Sequence, residues 1–439
     1  MGGRKHVTDK FYSKNCTHKF DATAQDSRFR FFGNVEVADH HHTTIPYAVP
    51  LPFSSILDYY SHVVFATGCT SPNLHEALPP SSPYCIPALS FVHWYTQHPK
   101  TPPPPPLDKV SHVSIIGNGN VSLDVARMLL TDVKVLSRYD VPQPVLDVFS
   151  RSTVKHVSII GRRGPLEAAF TIKELREMIN LPDASMIPLN PSLLTTPSSS
   201  NSPTRQQTRI LQLLQKGSKN QHGTTSKTWS LDFFRSPIGL VVPPPNNNNN
   251  NASSSAQLSL SHTTLDPQTN RAVPTEETST LPTDLVITSL GFHGEPRDTF
   301  YDPRLGHLRN VSGRITTIHA GTISNNNNNN NNIYASGWAA TGAKGVLAST
   351  MMNAYGVADT IISDWVGKNK HNGRDNKVLD LHDNDDEPPE EVQAGLKEGL
   401  VTDYADWKKI DEEEVRRGVA IGKERERMGW VEASKFLNK

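Results

Sequence analysis

Two glycines and two arginines carry the clearest chemistry in this chain. Gly117-Asn118-Gly119-Asn120-Val121-Ser122 follows the apolar run His112-Val-Ser-Ile-Ile116. It runs on into Leu123-Asp124-Val125-Ala126-Arg127-Met128-Leu129-Leu130, where apolar residues recur at helical spacing. Strand, tight turn and helix in that order make a seat for an anion. Gly117 permits the turn, and Gly119 lets the backbone approach a pyrophosphate. The helix that begins near Asn120 directs its free N–H groups and positive end at the charge. Ser122 stands where the dinucleotide fingerprint has a third small residue, a weak motif by itself because an ordinary βα turn looks the same. The second apolar run, Lys155-His-Val-Ser-Ile-Ile160, ends in Gly161-Arg162-Arg163-Gly164-Pro165. An NAD site has an acid at this point for the ribose hydroxyls, whereas two guanidinium forks suit a 2′-phosphate. NADPH is therefore preferred over NADH. The interval from Gly117 to Arg162 exceeds the usual spacing of about 20 residues, so residues 131–153 are an excursion before the second strand.

The elements that position these residues must sit in a large chain. At 439 residues it holds two or three domains at about 150 residues each. Lys plus Arg equals Asp plus Glu at 44 each, which removes any bulk pull toward nucleic acid or membrane and leaves charged partners to local patches. Cys16, Cys69 and Cys85 are odd in number with no CxxC pair, so neither a disulfide framework nor a metal site is expected, and a reducing compartment fits. No run reaches the roughly 18–20 apolar residues of a membrane span, and the start lacks an apolar signal core. Segments 102–106, 194–203, 243–255 and 325–332 are Pro, Ser/Thr or Asn tracts that cannot pack a core and read as loop insertions. The sequons at Asn15, Asn251 and Asn310 are given no role.

The run 158–182 (SIIGRRGPLEAAFTIKELREMINLP) is long and specific. Together with the glycine turn, Arg235-Ser-Pro237, Tyr334-Ala-Ser-Gly-Trp338 and Gly345-Val-Leu-Ala-Ser-Thr-Met351, it resembles the mitochondrial NADPH:adrenodoxin oxidoreductase family. Similarity extends to Phe31–Val37, Val63–Gly68 and the tail from Asp406, covering most of the chain outside the spacers. The resemblance implies an α/β fold with two Rossmann-like nucleotide-binding domains, the NADPH domain inserted into the FAD domain. The expected division is 1–71 for the N-terminal part of the FAD domain, 72–275 for the NADPH domain with its insertions, and 276–439 for the rest of the FAD domain and a tail. It further implies hydride transfer from NADPH to flavin and single-electron transfer to an acidic [2Fe–2S] ferredoxin of adrenodoxin type. A mitochondrial, matrix-side location follows, with room for peripheral association with the inner membrane.

Carried over residue by residue, the NADP contacts fall on Asn118, Gly119, Asn120, Val121, Arg162, Arg163, Glu174 and Gly345. The FAD contacts fall on Val37, Trp338, Gly345, Val346 and Leu347. Asp124 matches a carboxylate assigned to proton relay; as an acid in the first turns of a helix it also has a purely structural reading. Glu174, without the family, is a solvated helix charge. Arg176, Arg205 and Arg209 match basic contacts for the ferredoxin, and the last two share a helix face at i,i+4. The family's opening G-x-G-x-x-G unit has no counterpart here, so the first FAD βαβ unit is expected to be missing. Its W-x-x-R-G-P-T-G pattern is altered to Trp338-Ala-Ala-Thr-Gly-Ala-Lys-Gly345. Two readings stay open, a reductase or a non-enzymatic NADPH- or ferredoxin-binding remnant without tightly bound FAD.

Overall fold

The computed structural model describes residues 14–38, 43–100, 102–195, 202–243, 255–319, 322–324, 332–371 and 387–437. Parts of three spacers (196–201, 244–254 and 325–331), and with them Asn251, lie outside the described residues. The chain divides into two compact units. Of the described residues, one gathers those within 14–26, 74–290 and 409–433; the other gathers those within 27–73, 291–408 and 434–437.

The first unit is built on six parallel strands. They are β1 (Cys85–Pro87), β2 (His112–Ile116), β3 (His156–Gly161), β4 (Ala184–Met186), β5 (Lys227–Phe233) and, after a three-stranded insertion, β9 (Leu285–Thr288). Their order across the sheet is β1-β9-β2-β3-β5-β4. A parallel sheet must be covered on both faces. Helices α1 (Asn120–Leu130), α2 (Ile172–Ile179) and α3 (Arg205–Lys216) belong to the larger core, in which Leu123, Val125, Leu129, Leu175, Met178, Ile210 and Leu214 join Val113, Ile115, Val157 and Ile159. Strand parity puts Ile116, Ile160 and Val286 on the opposite face. There they meet Leu258 and Leu260 of an antiparallel meander, β6 (Arg235–Val241), β7 (Ala256–Leu265) and β8 (Ala272–Thr283).

The excursion 131–153 is structured. Asp132 caps a short helix, Val133–Leu136, and Gln143–Ser150 forms a second; Leu136, Val145, Leu146 and Phe149 enter the core. The segment 409–433 fastens to it. Arg427 pairs with Asp140 at 2.5 Å, the buried Lys423 ammonium donates to the Val141 carbonyl at 2.8 Å, and the Gln143 N–H donates to Glu426.

In the second unit, the strand Val63–Phe65 runs parallel to Ile333–Ala335, which pairs antiparallel with Arg314–Ile315. Ser336, Gly337 and Trp338 follow directly, and α4 (Leu347–His371) comes after a turn. α4 is held here by Asn353, which accepts the Gly337 N–H at 2.7 Å, and by Asp364, which takes both prongs of Arg314 and accepts from the Tyr334 hydroxyl at 3.1 Å. Among the described residues no helix is long and apolar enough to cross a membrane, and no cluster of His, Cys, Asp or Glu can hold a metal ion.

Candidate functional site

β2 and β3 lie side by side and parallel, so the glycine turn and the arginine pair leave the sheet at the same, carboxyl-terminal end. Gly117 has φ +119°, and its N–H donates to the Ile160 carbonyl at 2.8 Å. An added Cβ there would lie 2.2 Å from the Ser289 carbonyl oxygen, so both the conformation and the space demand glycine. Gly119 caps α1 without any side-chain hydrogen bond to the first turn, and a Cβ at this position would meet nothing within 4 Å. Asn118 carries a buried Nδ2 that has no partner among the described residues. The turn is braced from below, since the Asn118 carbonyl accepts the Ala169 N–H at 3.2 Å and Asn120 Oδ1 accepts the Thr171 N–H at 2.7 Å. Val121 packs against the core and anchors the helix start. An uncapped helix N-terminus, an orphaned amide donor and clear space at Gly119 fit a pyrophosphate.

Beyond β3, Arg162 is exposed and Arg163 half-buried. The field at Arg162 is felt by a neighbour: burial holds the His75 imidazole below its usual range, Glu76 opposes this, and Arg162 adds to it. A pair of cations at this end of the strands fits a phosphate ester on the ribose of the same nucleotide.

Asp124 and Glu174 come together on a residue absent from the sequence-derived set. Arg127, 6 % exposed, is bound by Asp124 one turn back on α1 and by Glu174 (2.8 Å) and Glu177 of α2. The signal was an arginine inside the apolar run of α1, whose partners a linear reading cannot supply. Glu174 is half-buried rather than a solvated helix charge. Burial, followed by the nearby Asp124 carboxylate, raises its pKa, while Arg127 and Lys173 pull it down.

In the second unit, Trp338 Nε1 donates to the Lys344 carbonyl at 3.1 Å, tying the indole to the turn before Gly345. Gly345 has φ +82°. Val346 and Leu347 behind it are 56 % and 63 % exposed, and Met351 and Met352 continue the apolar surface along α4. Val37 is also half-exposed, at the end of a short strand, Val35–Val37. Apolar surface beside a bare glycine backbone fits a planar aromatic ring system.

Arg176, Arg205 and Arg209 are exposed on α2 and α3, two helices joined through Leu175, Met178, Ile210 and Leu214. α3 opens with a reciprocal capping box, Thr204 with Gln207. Its first turn nevertheless carries Arg205, where the helix dipole disfavours a cation and an acid would be stabilising.

No family model matches the chain. It is 33% identical to the human protein named NADPH:adrenodoxin oxidoreductase, mitochondrial, over 94% of this chain and 79% of that protein. The NADPH-ferredoxin reductase FprA of Mycobacterium tuberculosis is 29% identical over 80% of this chain and 71% of its own length. The solved structure of M. tuberculosis FprA in complex with NADPH superposes with a TM-score of 0.79 at 28% identity, covering 99% of this chain and 88% of that one.

Proposed function

Because the chain belongs to the NADPH:adrenodoxin oxidoreductase family, we propose that it is an FAD-dependent oxidoreductase that takes electrons from NADPH and delivers them singly to an acidic [2Fe–2S] ferredoxin of adrenodoxin type. The observation that carries this reading is the pairing, on adjacent parallel strands, of an uncapped glycine turn with two consecutive arginines. Asn118, Gly119, Asn120 and Val121 hold the pyrophosphate through backbone and amide donors, and Arg162 and Arg163 hold the 2′-phosphate. Val37, Trp338, Gly345, Val346 and Leu347 are the residues we assign to FAD. Bound flavin supplies the exchange between two-electron donation by a nicotinamide and one-electron delivery to an iron–sulfur centre. Asp124 is the carboxylate we assign to proton relay, and its hydrogen bond to Arg127 fixes its orientation. Glu174, bound to the same guanidinium, is the carboxylate we assign to an NADP contact. We assign NADPH to the unit that holds 74–290, which extends the expected 72–275 so that β8 stays whole and β9 keeps its place in the sheet, and FAD to the unit that holds 27–73 and 291–408. The location we infer is the mitochondrial matrix side.

Arg176, Arg205 and Arg209 form the ferredoxin dock in this reading. Its support is their exposure on two packed helices and the placing of Arg205 against its own helix dipole. Reversing charge with Arg205→Glu and Arg209→Glu is expected to slow ferredoxin reduction about tenfold or more at low ionic strength, because opposite-charge steering is lost. High salt should shrink the difference, and reduction of ferricyanide should be spared. An unchanged ferredoxin rate at low salt would remove the dock.

A further inference from the structure

The arginine pair lies outside any strand or helix, yet its backbone is held at two successive carbonyls. Thr263 Oγ1 donates to the Arg162 carbonyl at 2.8 Å, and the Phe234 N–H points to the Arg163 carbonyl at 3.4 Å. Phe234 and Thr263 are themselves joined, since the Thr263 N–H donates to the Phe234 carbonyl at 3.0 Å. Arg235 Nη1 donates to that same carbonyl at 2.9 Å. The phenyl ring closes the assembly from the side. A Cβ added at Gly164 would lie 2.5 Å from Phe234 Cζ, so the ring rests directly on the backbone that follows the arginines.

Neither residue reaches this position by the ordinary course of its strand. Phe234 sits between β5 and β6 with φ +56°, a left-handed conformation that a bulky aromatic side chain adopts only under constraint. Thr263 follows an irregularity in the β7–β8 pairing, where the register shifts between Ser261 and Thr263. Its side chain is buried, so its hydroxyl needs a partner, and the partner is Arg162. A strained residue, a shifted register and a glycine under an aromatic ring thus converge on two peptide units.

We propose that Phe234 and Thr263 are positioning residues that clamp the backbone of Arg162 and Arg163, so that the preference for a 2′-phosphorylated nucleotide depends on this clamp as well as on the two guanidinium groups. The inference rests on the reading of the arginine pair as the 2′-phosphate seat. A phosphate bound by two forks needs both guanidinium planes fixed, and long side chains on a loose loop lose entropy on binding that a fixed backbone has already lost on folding. The meander that supplies Thr263 then has a task beyond covering the sheet, since it sets the geometry of the loop that tells the two nicotinamide cofactors apart.

The test uses the full chain and two ligands that differ by one phosphate, 2′,5′-ADP and 5′-AMP, with binding read by calorimetry. Thr263→Val removes the hydroxyl at nearly constant shape. It is expected to weaken 2′,5′-ADP roughly fivefold to tenfold, the worth of one hydrogen bond donated by a buried hydroxyl, and to leave 5′-AMP unchanged. Thr263→Ser should restore the wild-type ratio. Phe234→Ala should shift the ratio in the same direction as Thr263→Val. Arg162→Ala with Arg163→Ala serves as the reference: loss of the 2′,5′-ADP preference there confirms the seat. If that double variant keeps the preference, the NADPH reading itself fails and the clamp with it. If it loses the preference while Thr263→Val keeps it, or weakens both ligands equally, the seat stands and the clamp is overturned. Should Phe234→Ala fail to fold, Thr263→Val and its serine rescue still decide the matter.

Discussion

Replacing Arg127 by leucine is expected to destabilise the nucleotide unit by about 3–5 kcal/mol, the usual cost of removing one partner from a buried ion cluster. Arg127 is 6 % exposed and its guanidinium faces three carboxylates, so its loss leaves Asp124, Glu174 and Glu177 to repel one another with little solvent to screen them. The pH dependence follows from the raised pKa of Glu174. Between the ordinary glutamate value and the raised one, the folded state binds more protons than the unfolded state, so stability falls as pH rises through that window. Arg127 pulls this pKa down, and removing it extends the window upward. The variant should therefore lose more at pH 8 than at pH 5, as measured by urea denaturation. A loss that is small and the same at both values would mean that the four side chains do not act as a buried cluster.

Arg162→Ala combined with Arg163→Ala should raise the dissociation constant for NADPH about 100-fold or more, because each charge-assisted contact to phosphate contributes roughly 1.5–3 kcal/mol. NADH, which lacks the 2′-phosphate, should change little. The two positions are not equal. Arg162 is exposed and screened by solvent, whereas Arg163 is half-buried, so Arg163→Ala alone should cost more than Arg162→Ala alone. Lysine at both positions keeps the charge but loses the planar fork, and should fall between wild type and the alanine pair. Fluorescence titration with both dinucleotides reads all of these. Equal losses for NADPH and NADH would show that the arginines serve folding or general attraction instead of reading the phosphate.

What could be read from the chain alone was what local spacing encodes. The apolar positions of α1, the turn at Gly117 and the β-branched runs of β2 and β3 announce themselves within a few residues of one another. The second strand followed by Arg162 and Arg163 was legible for the same reason. Contacts across long intervals were not. Arg127 meets Glu174 and Glu177 from 47 and 50 residues away, so the arginine in its apolar helix drew no reading, and Glu174, apart from the resemblance, read as a solvated charge. The helices Val133–Leu136 and Gln143–Ser150 are too short for periodicity to reveal, and residues 131–153 passed as an unassigned excursion. Nothing in the letters around Phe234 marks its left-handed backbone, which stands where the chain leaves β5 for the meander that packs on Ile116 of β2, Ile160 of β3 and Val286 of β9.

In the proposed reaction this chain moves electrons from NADPH, chosen by its 2′-phosphate, to a ferredoxin. The measurement closest to it is the steady-state reduction of a [2Fe–2S] ferredoxin by the full chain saturated with FAD, with NADPH and then NADH as donor. Discrimination by two arginine–phosphate contacts predicts that kcat/KM for NADPH exceeds that for NADH by about 100-fold. Equal rates with the two donors, or a protein that binds NADPH and transfers no electrons to the ferredoxin, would contradict it.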